Sequence, residues 1–377
     1  MRNLAHFADP QVNKSAKKWI PVARPNVGKR EVDAVVNCLE RGQLAGGQSV
    51  EEFERQMAAA HNMRHGVACN SGTTAITLAL RGLGIGQGDK VLIPTLTMVA
   101  VANAVLDVGA IPLFADSEES TGNPHGTWLE IHGPAKAAIV PHLYGVIAEN
   151  FSYFASHAPY PLKVIEDWAE SHFAKSFVLL GNDRADAYTF SFYGNKIITT
   201  GEGGMVLTSK EVVADRLRSL RAHAFSKECH FQHTEHAFGY RMTEMQGALG
   251  LAQLSRAEEF LAARTEIAAW YYHELRRIQW LEFPTRPEGS VWWVFPLLVV
   301  KDSLITRDKV REALAEKGVE TRTYFYPLHR QAHLRRYATH DMPVADDLFT
   351  RGFYLPMWVG MVREDVEYIC DSIRGLA

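Results

Sequence analysis

The chain has 377 residues, of which 47% are hydrophobic and 22% charged, and its 40 basic and 43 acidic side chains give a net charge of -3. This composition is typical of a globular protein that buries a full core without metal or disulfide support. It lacks the excess of positive charge by which proteins bind nucleic acids or anionic membranes. The length predicts either two ordinary domains or one large domain with a smaller companion.

The four cysteines, Cys38, Cys69, Cys229 and Cys370, are far apart and form no CxxC pair. This spacing matches neither a zinc site nor a disulfide framework, so we predict no metal. The N-terminal segment has no apolar signal region, and no apolar run approaches the length of a membrane span. We therefore predict a soluble, cytoplasmic protein in which residues 1–20 form an N-terminal arm.

From residue 64 onward, short apolar runs typical of buried strands alternate with segments of helical periodicity. The strand-like runs are HGVACN, KVLIPTLT, IPLFAD, AAIVPHLYG, LKVIEDW, AYTFSFY and GMVLTS. The helix-like segments are SGTTAITLALRGLGIG, VAVANAVLDVGA and KEVVADRLRSLRAHA. Continuous apolar strands that alternate with helices predict an α/β fold built on a mostly parallel sheet, buried on both faces.

A long helical stretch over 243–278 follows and leads towards a second domain. That domain is predicted as strand, helix, strand and helix, in VWWVFPLLVV, TRDKVREALAEKG, VETRTYFYP and REDVEYICDSIRGL. In α/β sheets, ligands bind beyond the carboxyl ends of the strands. The polar residues that end the strands are therefore the candidates for a site: 71–73, 95–97, His142, Asp167 and the loop around Lys196.

The first candidate motif is CNSGTTA, where a strand ends and a helix begins. Backbone N–H groups at such a helix start favour an anion such as phosphate, and Gly72 permits close approach of the backbone. The alternative is that Ser71 or Thr73 only caps the helix.

The second motif is VIEDWAESH, in which Asp167 follows the apolar run LKVI. Asp167 is either the partner of a protonated ring nitrogen or part of a water-exposed acidic turn, and we expect Glu166 to be exposed in that turn.

The third motif is TFSFYGNKIITTGEGG, in which Lys196 follows a strand that contains Ser191. The lysine is either a solvated cation on a surface turn or an amine that forms a Schiff base with an aldehyde cofactor. Ser191 either reaches a phosphate or bonds locally. Together, a phosphate cradle, a strand-end carboxylate and a lysine downstream of a serine are the parts that hold pyridoxal phosphate.

The residues resemble the nucleotide-sugar aminotransferases of the fold type I pyridoxal-phosphate superfamily, and within it the GDP-perosamine synthases. The likeness covers about residues 20–377 and rests on CNSGTTA, IPTLTMVAVANAV, HLYG, IEDWAESH, TFSFYGNKIITTGEGGMV, YRMTEMQGALGLAQL and ETRTYFYPLHRQ. It implies a large domain with a mostly parallel seven-stranded sheet (21–255) and a small C-terminal α/β domain (256–377). It also implies a homodimer whose active sites lie at the subunit interface.

The resemblance assigns a role to individual residues. Lys196 matches the Schiff-base lysine, Asp167 the partner of the pyridine nitrogen, and Glu170 a polar residue near the ring hydroxyl. The related sugar 3-dehydratases have histidine in place of the lysine, so Lys196 favours transamination over dehydration.

Further positions match the cofactor phosphate and the substrate. Gly72, Thr73 and Ser191 match phosphate ligands. His329 matches a histidine on the substrate side. Without the resemblance, the sequence would indicate a core histidine in a strand.

Three departures from the family pattern bear on the site. Met98 stands where an aromatic residue usually stacks on the cofactor ring, and sulfur also packs acceptably on aromatic faces. Gly239 stands where an asparagine reaches the phosphate of the other subunit, so one contact is lost. Residues 117–131 and 173–184 are not typical of the family.

These observations predict an aminotransferase that moves an amino group, from glutamate, to C4 of a nucleotide-linked 4-keto-6-deoxy sugar. Two alternatives stay open. One is a non-catalytic scaffold or regulator that binds the cofactor or a sugar nucleotide. The other is an aminotransferase for a different keto substrate, such as an amino-acid aminotransferase, which requires an arginine for the α-carboxylate.

Overall fold

The structure, a computed structural model, describes residues 11–12, 18–124, 134–148, 160–174, 185–226, 228–229 and 231–376. The helices of this part of the chain are α1 (Lys29–Glu40), α2 (Gln48–Ala60), α3 (Gly72–Gly82), α4 (Ala100–Asp107), α5 (Glu211–Arg221), α6 (Glu244–Leu254), α7 (Ala257–Leu275), α8 (Arg307–Glu316), α9 (Pro343–Arg351) and α10 (Arg363–Arg374). The strands are β1 (His65–Cys69), β2 (Lys90–Pro94), β3 (Ile111–Ala115), β4 (Ala137–Pro141), β5 (Lys163–Asp167), β6 (Ala187–Ser191), β7 (Gly204–Thr208), β8 (Leu281–Glu282), β9 (Phe295–Val299), β10 (Arg322–Thr323) and β11 (Gly352–Leu355).

The larger sheet has seven strands in the order β1-β7-β6-β5-β4-β2-β3. Strands β3, β2, β4, β5 and β6 run parallel, and β7 lies antiparallel between β6 and β1. All five residues of β4 and of β7 are buried, as their continuous apolar runs indicate. The predicted α/β fold with a mostly parallel seven-stranded sheet is therefore confirmed.

The topology brings the candidate motifs to one edge of this sheet. Because β1 and β6 are both antiparallel to β7, they point in the same direction, so β1 ends at the same edge as β4, β5 and β6. The start of α3, the end of β5 and the loop after β6 follow these strand ends directly. The placement agrees with the general rule for ligand sites in α/β sheets.

A second, antiparallel sheet has the order β10-β11-β9-β8 and packs with α7, α8 and α10 around a separate apolar cluster. The strand predicted over VETRTYFYP is wrong in extent, since regular pairing covers only Arg322 and Thr323. Beyond them, the N–H of Phe325 donates to the Tyr144 hydroxyl at 2.9 Å, which turns the chain towards the larger sheet. The elements α1, α2, α9 and β11 were not predicted.

The helical stretch predicted over 243–278 is two helices, α6 and α7, which are separated at Ser255 and Arg256. Arg256 bonds out of the helix to Glu31 at 3.0 Å and to Asn26 at 2.8 Å. These contacts hold the Arg256 side chain at the break between the two helices. The domain boundary after residue 255 stays a prediction, and the predicted arm lies almost wholly outside the described residues.

Gly204 provides a test of how the edge is packed. A Cβ at this position would lie 2.1 Å from the Ser71 carbonyl oxygen, a backbone atom that cannot rotate away. We expect Gly204→Ala to lower the free energy of unfolding by about 2 kcal/mol, measured by urea unfolding, because overpacking forces the strand and the turn apart. Gly86→Ala is the matched control, since a Cβ there meets nothing closer than 4.0 Å. An equal, small effect of both substitutions would contradict this packing.

Candidate active site

A cavity of about 390 Å³ opens at the carboxyl edge of the larger sheet. Its walls come from the β1–α3 turn, the segments after β2, β4, β5 and β6, and the second sheet. Seven residues predicted for the site line it together: Gly72, Thr73, Met98, Asp167, Glu170, Ser191 and Lys196. Residues from separate parts of the sequence thus meet in one place.

The loop after β6 buries the side chain of Lys196. The Lys196 N–H donates to the Tyr193 carbonyl at 2.9 Å, and the Thr200 N–H donates to the Phe192 carbonyl at 2.9 Å, so the loop closes on itself. The lysine side chain is only 11% exposed, and its Nζ lies 3.7 Å from Glu170 Oε1. The alternative of a solvated surface cation is therefore wrong for this residue.

Burial lowers the pKa of the Lys196 amine below its usual value, while the Glu170 and Asp167 carboxylates act in the opposite direction. Desolvation disfavours the charged form of any amine, and here its effect exceeds that of the two acids. The neutral form, which is the nucleophile, is therefore more accessible than in an exposed lysine.

Asp167 ends β5 and is buried, so the alternative of a water-exposed turn is wrong here too. Its Oδ1 accepts hydrogen bonds from Thr189 Oγ1 at 3.0 Å and from the Ala169 N–H at 3.2 Å. Burial raises the pKa of this carboxyl above its usual value, although both hydrogen bonds lower it. Within the described residues, both bonds end on Oδ1. A buried carboxylate with one oxygen free fits a cationic ring N–H, which would compensate its desolvation.

Glu166 is not exposed, contrary to the prediction for this motif. It is fully buried and accepts a hydrogen bond from Trp168 Nε1 at 2.9 Å. Its Oε2 also lies 3.4 Å from His142 Nε2. Since His142 Nδ1 accepts from the Ala148 N–H at 3.0 Å, the histidine proton belongs on Nε2, towards Glu166. This pair fixes the His142 ring in the cavity wall behind Asp167.

Glu170 lies between the lysine and the backbone. Its Oε2 accepts a hydrogen bond from the Tyr144 N–H at 2.8 Å, and its Oε1 faces Lys196. Burial raises the pKa of Glu170 to about 7. A carboxyl group with this pKa exchanges a proton readily at neutral pH.

The start of α3 fits an anion. Ser71 caps the helix, because its Oγ accepts from the Thr74 N–H at 3.2 Å, so the capping alternative is correct for Ser71. The backbone N–H groups of Gly72 and Thr73 stand at the positive end of the helix dipole. A Cβ on Gly72 would lie 2.6 Å from Ser191 Cβ, so the glycine lets the helix start approach the Ser191 hydroxyl closely. These donors together fit a phosphate group.

Two departures from the expected pattern have a structural description. Met98 is exposed at the cavity mouth, where its Sδ accepts from the Ala100 N–H at 3.1 Å. At Gly239, a Cβ would lie 2.9 Å from His223 Cε1, so the imidazole occupies the space that a larger residue would need. The expected loss of a phosphate contact at Gly239 stays a prediction. Of the atypical segments, 125–131 and 175–184 lie outside the described residues.

His329 is not one of the described residues that line the cavity. Its Nδ1 lies 2.7 Å from Thr95 Oγ1 and its Nε2 lies 3.3 Å from Asp346 Oδ1, so the ring joins the end of β2 to α9. Burial lowers its pKa, and the Asp346 carboxylate opposes this shift. Its predicted role on the substrate side stays a prediction.

One wall of the cavity, formed by the second sheet and the segments next to its strands, was not predicted from the sequence. Trp293, Phe325 and Tyr354 line the cavity, and Trp293 lies over the lysine with its ring centroid 4.2 Å from Nζ. The run VWWVF indicates a buried strand, and no local feature distinguishes a tryptophan that faces a site from one that packs in a core.

The described residues contain no group of three metal-ligating side chains. No described helix is long and apolar enough to cross a membrane.

Comparison with known proteins places this geometry in a family. The chain is 36% identical over 362 residues to a GDP-perosamine synthase of Caulobacter vibrioides, which covers 94% of the chain and 97% of the relative. It is 34% identical over 361 residues to a GDP-perosamine synthase of Escherichia coli O157:H7, covering 95% and 98%. The solved aminotransferase TlmJ of Streptoalloteichus hindustanus superposes with a TM-score of 0.87 at 26% identity, covering 94% and 98%.

The sequence profile of the DegT/DnrJ/EryC1/StrS aminotransferases matches residues 25–374. The match confirms the resemblance, the aminotransferase class and the pyridoxal-phosphate cofactor that the sequence predicts. The chain belongs to the DegT/DnrJ/EryC1/StrS aminotransferase family.

Proposed function

We propose that the protein is a pyridoxal-phosphate aminotransferase that transfers an amino group, from glutamate, to C4 of a nucleotide-linked 4-keto-6-deoxy sugar. The observation that carries the proposal is the buried Lys196 amine, which shares one cavity with the Asp167 carboxylate and the phosphate cradle. The relatives named GDP-perosamine synthase, similar over nearly their whole length, support a nucleotide sugar as the acceptor.

Each part of the cofactor has matching residues. When bound, pyridoxal phosphate supplies an aldehyde and an electron-withdrawing ring. Lys196 would hold the aldehyde carbon covalently, and Asp167 would keep the ring nitrogen protonated. Gly72, Thr73 and Ser191 would hold the phosphate at the start of α3.

Two side chains of the cavity can move protons. As a free amine, Lys196 would be a base whose pKa burial lowers, so it could take a proton from the donor carbon in one half-reaction and give a proton to the acceptor carbon in the other. Glu170, at 3.7 Å from the lysine nitrogen, can hold or release a second proton near neutral pH. Both side chains are largely buried, which limits the access of water to them.

The alternatives are less well supported. A binding scaffold has no need of a buried amine beside two buried acids, since burying such groups costs stability. An amino-acid aminotransferase has less support than a sugar aminotransferase, because relatives that are similar over nearly their whole length are named GDP-perosamine synthase. The aromatic wall of Phe325 and Tyr354 suits the apolar face of a deoxy sugar instead.

The proposal includes a homodimer with shared active sites and a cytoplasmic location. Helix α1 exposes Val32, Val36 and Leu39 in one stripe at helical spacing, and Met98 and Tyr193 are exposed at the cavity mouth. Such apolar surface favours burial against a second copy.

The four cysteines form no disulfide, which agrees with a reducing compartment and so with the proposed cytoplasmic location.

The substrate assignment is tested with a panel of nucleotide sugars. The protein loaded with cofactor is incubated with glutamate that carries an isotope label on its amino nitrogen and with 4-keto or 3-keto nucleotide sugars. The products are identified by mass spectrometry. We expect a labelled amino sugar from a 4-keto-6-deoxy substrate, and the mass of a dimer in light scattering. Lys196→Ala should be inactive, whereas Lys163→Ala, which changes an exposed lysine, should be active. Consumption of glutamate without any amino sugar would contradict the assignment.

The raised pKa of Glu170 predicts a dependence of stability on pH. Between its ordinary value of 4.5 and about 7, the folded chain keeps a proton on Glu170 that the unfolded chain has released. The free energy of unfolding should therefore fall as the pH rises through this window. Glu170→Gln removes this exchange, so we expect the fall to shrink by about 3 kcal/mol.

The measurement is urea unfolding of the full chain, freed of cofactor, at several pH values across that window. Glu288→Gln, which changes an exposed loop residue, is the control and should keep the full pH dependence. If Glu170→Gln keeps it too, Glu170 does not hold the proton.

A further inference from the structure

Trp293 makes a contact with Lys196 that the proposed chemistry does not yet explain. The lysine Nζ lies over the indole face, 4.2 Å from the ring centroid. The tryptophan is buried at 3% exposure, and it reaches the cavity from the segment just before β9. An ammonium group at this distance from an indole face is attracted by the ring quadrupole, more strongly where water is excluded.

The position of the indole is fixed from two sides. Its Nε1–H donates to the Asn195 carbonyl at 2.8 Å, the residue next to the lysine. The Trp293 carbonyl accepts from Arg264 Nη1 at 2.7 Å, and Arg264 is itself buried. The ring of Tyr144 lies parallel to the indole within 3° at a centroid distance of 6.4 Å. These contacts hold the ring over the amine.

The groups that face Lys196 come from two elements. Asp167, at the end of β5, and Glu170, in the segment after it and at 3.7 Å, both favour the ammonium form. His172, from the same segment, is buried, and its own pKa is lowered by burial and by the lysine. From the second sheet comes the indole, with Arg264 behind it at the backbone of Trp293. The amine therefore lies between acidic oxygens and an aromatic face.

We propose that Trp293 is a positioning residue that holds the amine of Lys196 in place while the amine is not joined to the cofactor and carries a proton. The inference rests on the proposed function, because transamination releases the lysine once in every cycle. A released amine on a four-carbon chain would otherwise adopt many rotamers, and holding it in one place lowers the entropy cost of its return.

A purely packing role for Trp293 makes a different prediction. Packing depends on volume and burial, whereas the attraction to an ammonium depends on the π face and decreases from Trp to Phe to an aliphatic residue. The pH at which Lys196 becomes reactive separates the two roles, because loss of the π face destabilises the charged amine.

The test is competitive labelling of the full chain, freed of cofactor, with acetic anhydride over a range of pH, followed by mass spectrometry of the peptide that contains Lys196. Lys163, about half exposed, is the internal standard. In Trp293→Phe we expect the pH of half-maximal labelling to fall by about 0.5 to 1 unit. In Trp293→Leu it should fall further.

Trp292→Phe is the matched control. The neighbouring ring of Trp292 stacks on Phe295 at 5.4 Å and lies under Arg286 at 3.8 Å, away from the lysine. This variant should keep the half-labelling pH of the unchanged protein. If Trp293→Phe leaves that pH unchanged or raises it, the inference is overturned, even if Trp293→Leu fails to fold.

The experiment with the panel of nucleotide sugars distinguishes a failure of this inference from a failure of the proposed function. An unshifted labelling profile in a protein that aminates a sugar overturns only the role of Trp293. A shifted profile in a protein that aminates no sugar supports the contact with the amine and contradicts the proposed substrate.

Discussion

The cost of burying charged groups at one sheet edge is the constraint on which this site depends. Burial removes Lys196, Asp167 and Glu170 from water and favours the neutral form of each. It lowers the pKa of the lysine amine and raises the pKa of the two carboxyl groups. Their proximity offsets only part of this cost. On the proposed function, bound pyridoxal phosphate would offset more of this cost, because it would bring a cationic ring nitrogen to the aspartate and an aldehyde to the lysine.

The sheet edge could be predicted because the parallel strands are buried on both faces and appear as continuous apolar runs. Once the strand ends are known, Asp167, Ser191 and Lys196 fall at the same edge, whatever the rest of the chain does. The specific role of each residue came from the family motifs and not from spacing. Single residues such as Gly72 or Lys196 have ordinary structural explanations when they are considered alone.

The contacts that tune the site could not be predicted, because they are set by the tertiary fold. Glu166 has the sequence context of an exposed acidic turn, yet Trp168 and His142 enclose it. Trp293 is one of two adjacent tryptophans in an apolar run, and only the packing of the second sheet against the first decides which of them faces the lysine. The missed helix α9 and strand β11 have a similar cause, since Gly352–Leu355 is a short strand defined by its neighbours.

We propose that Lys196 joins the cofactor while Asp167 keeps its ring positive. Borohydride reduction of the cofactor-saturated protein, followed by digestion and mass spectrometry, tests it most directly, because the reduced bond survives digestion. We expect one modified residue, Lys196, carrying the mass of reduced pyridoxal phosphate. Modification at any other lysine, or none in a saturated sample, would contradict it.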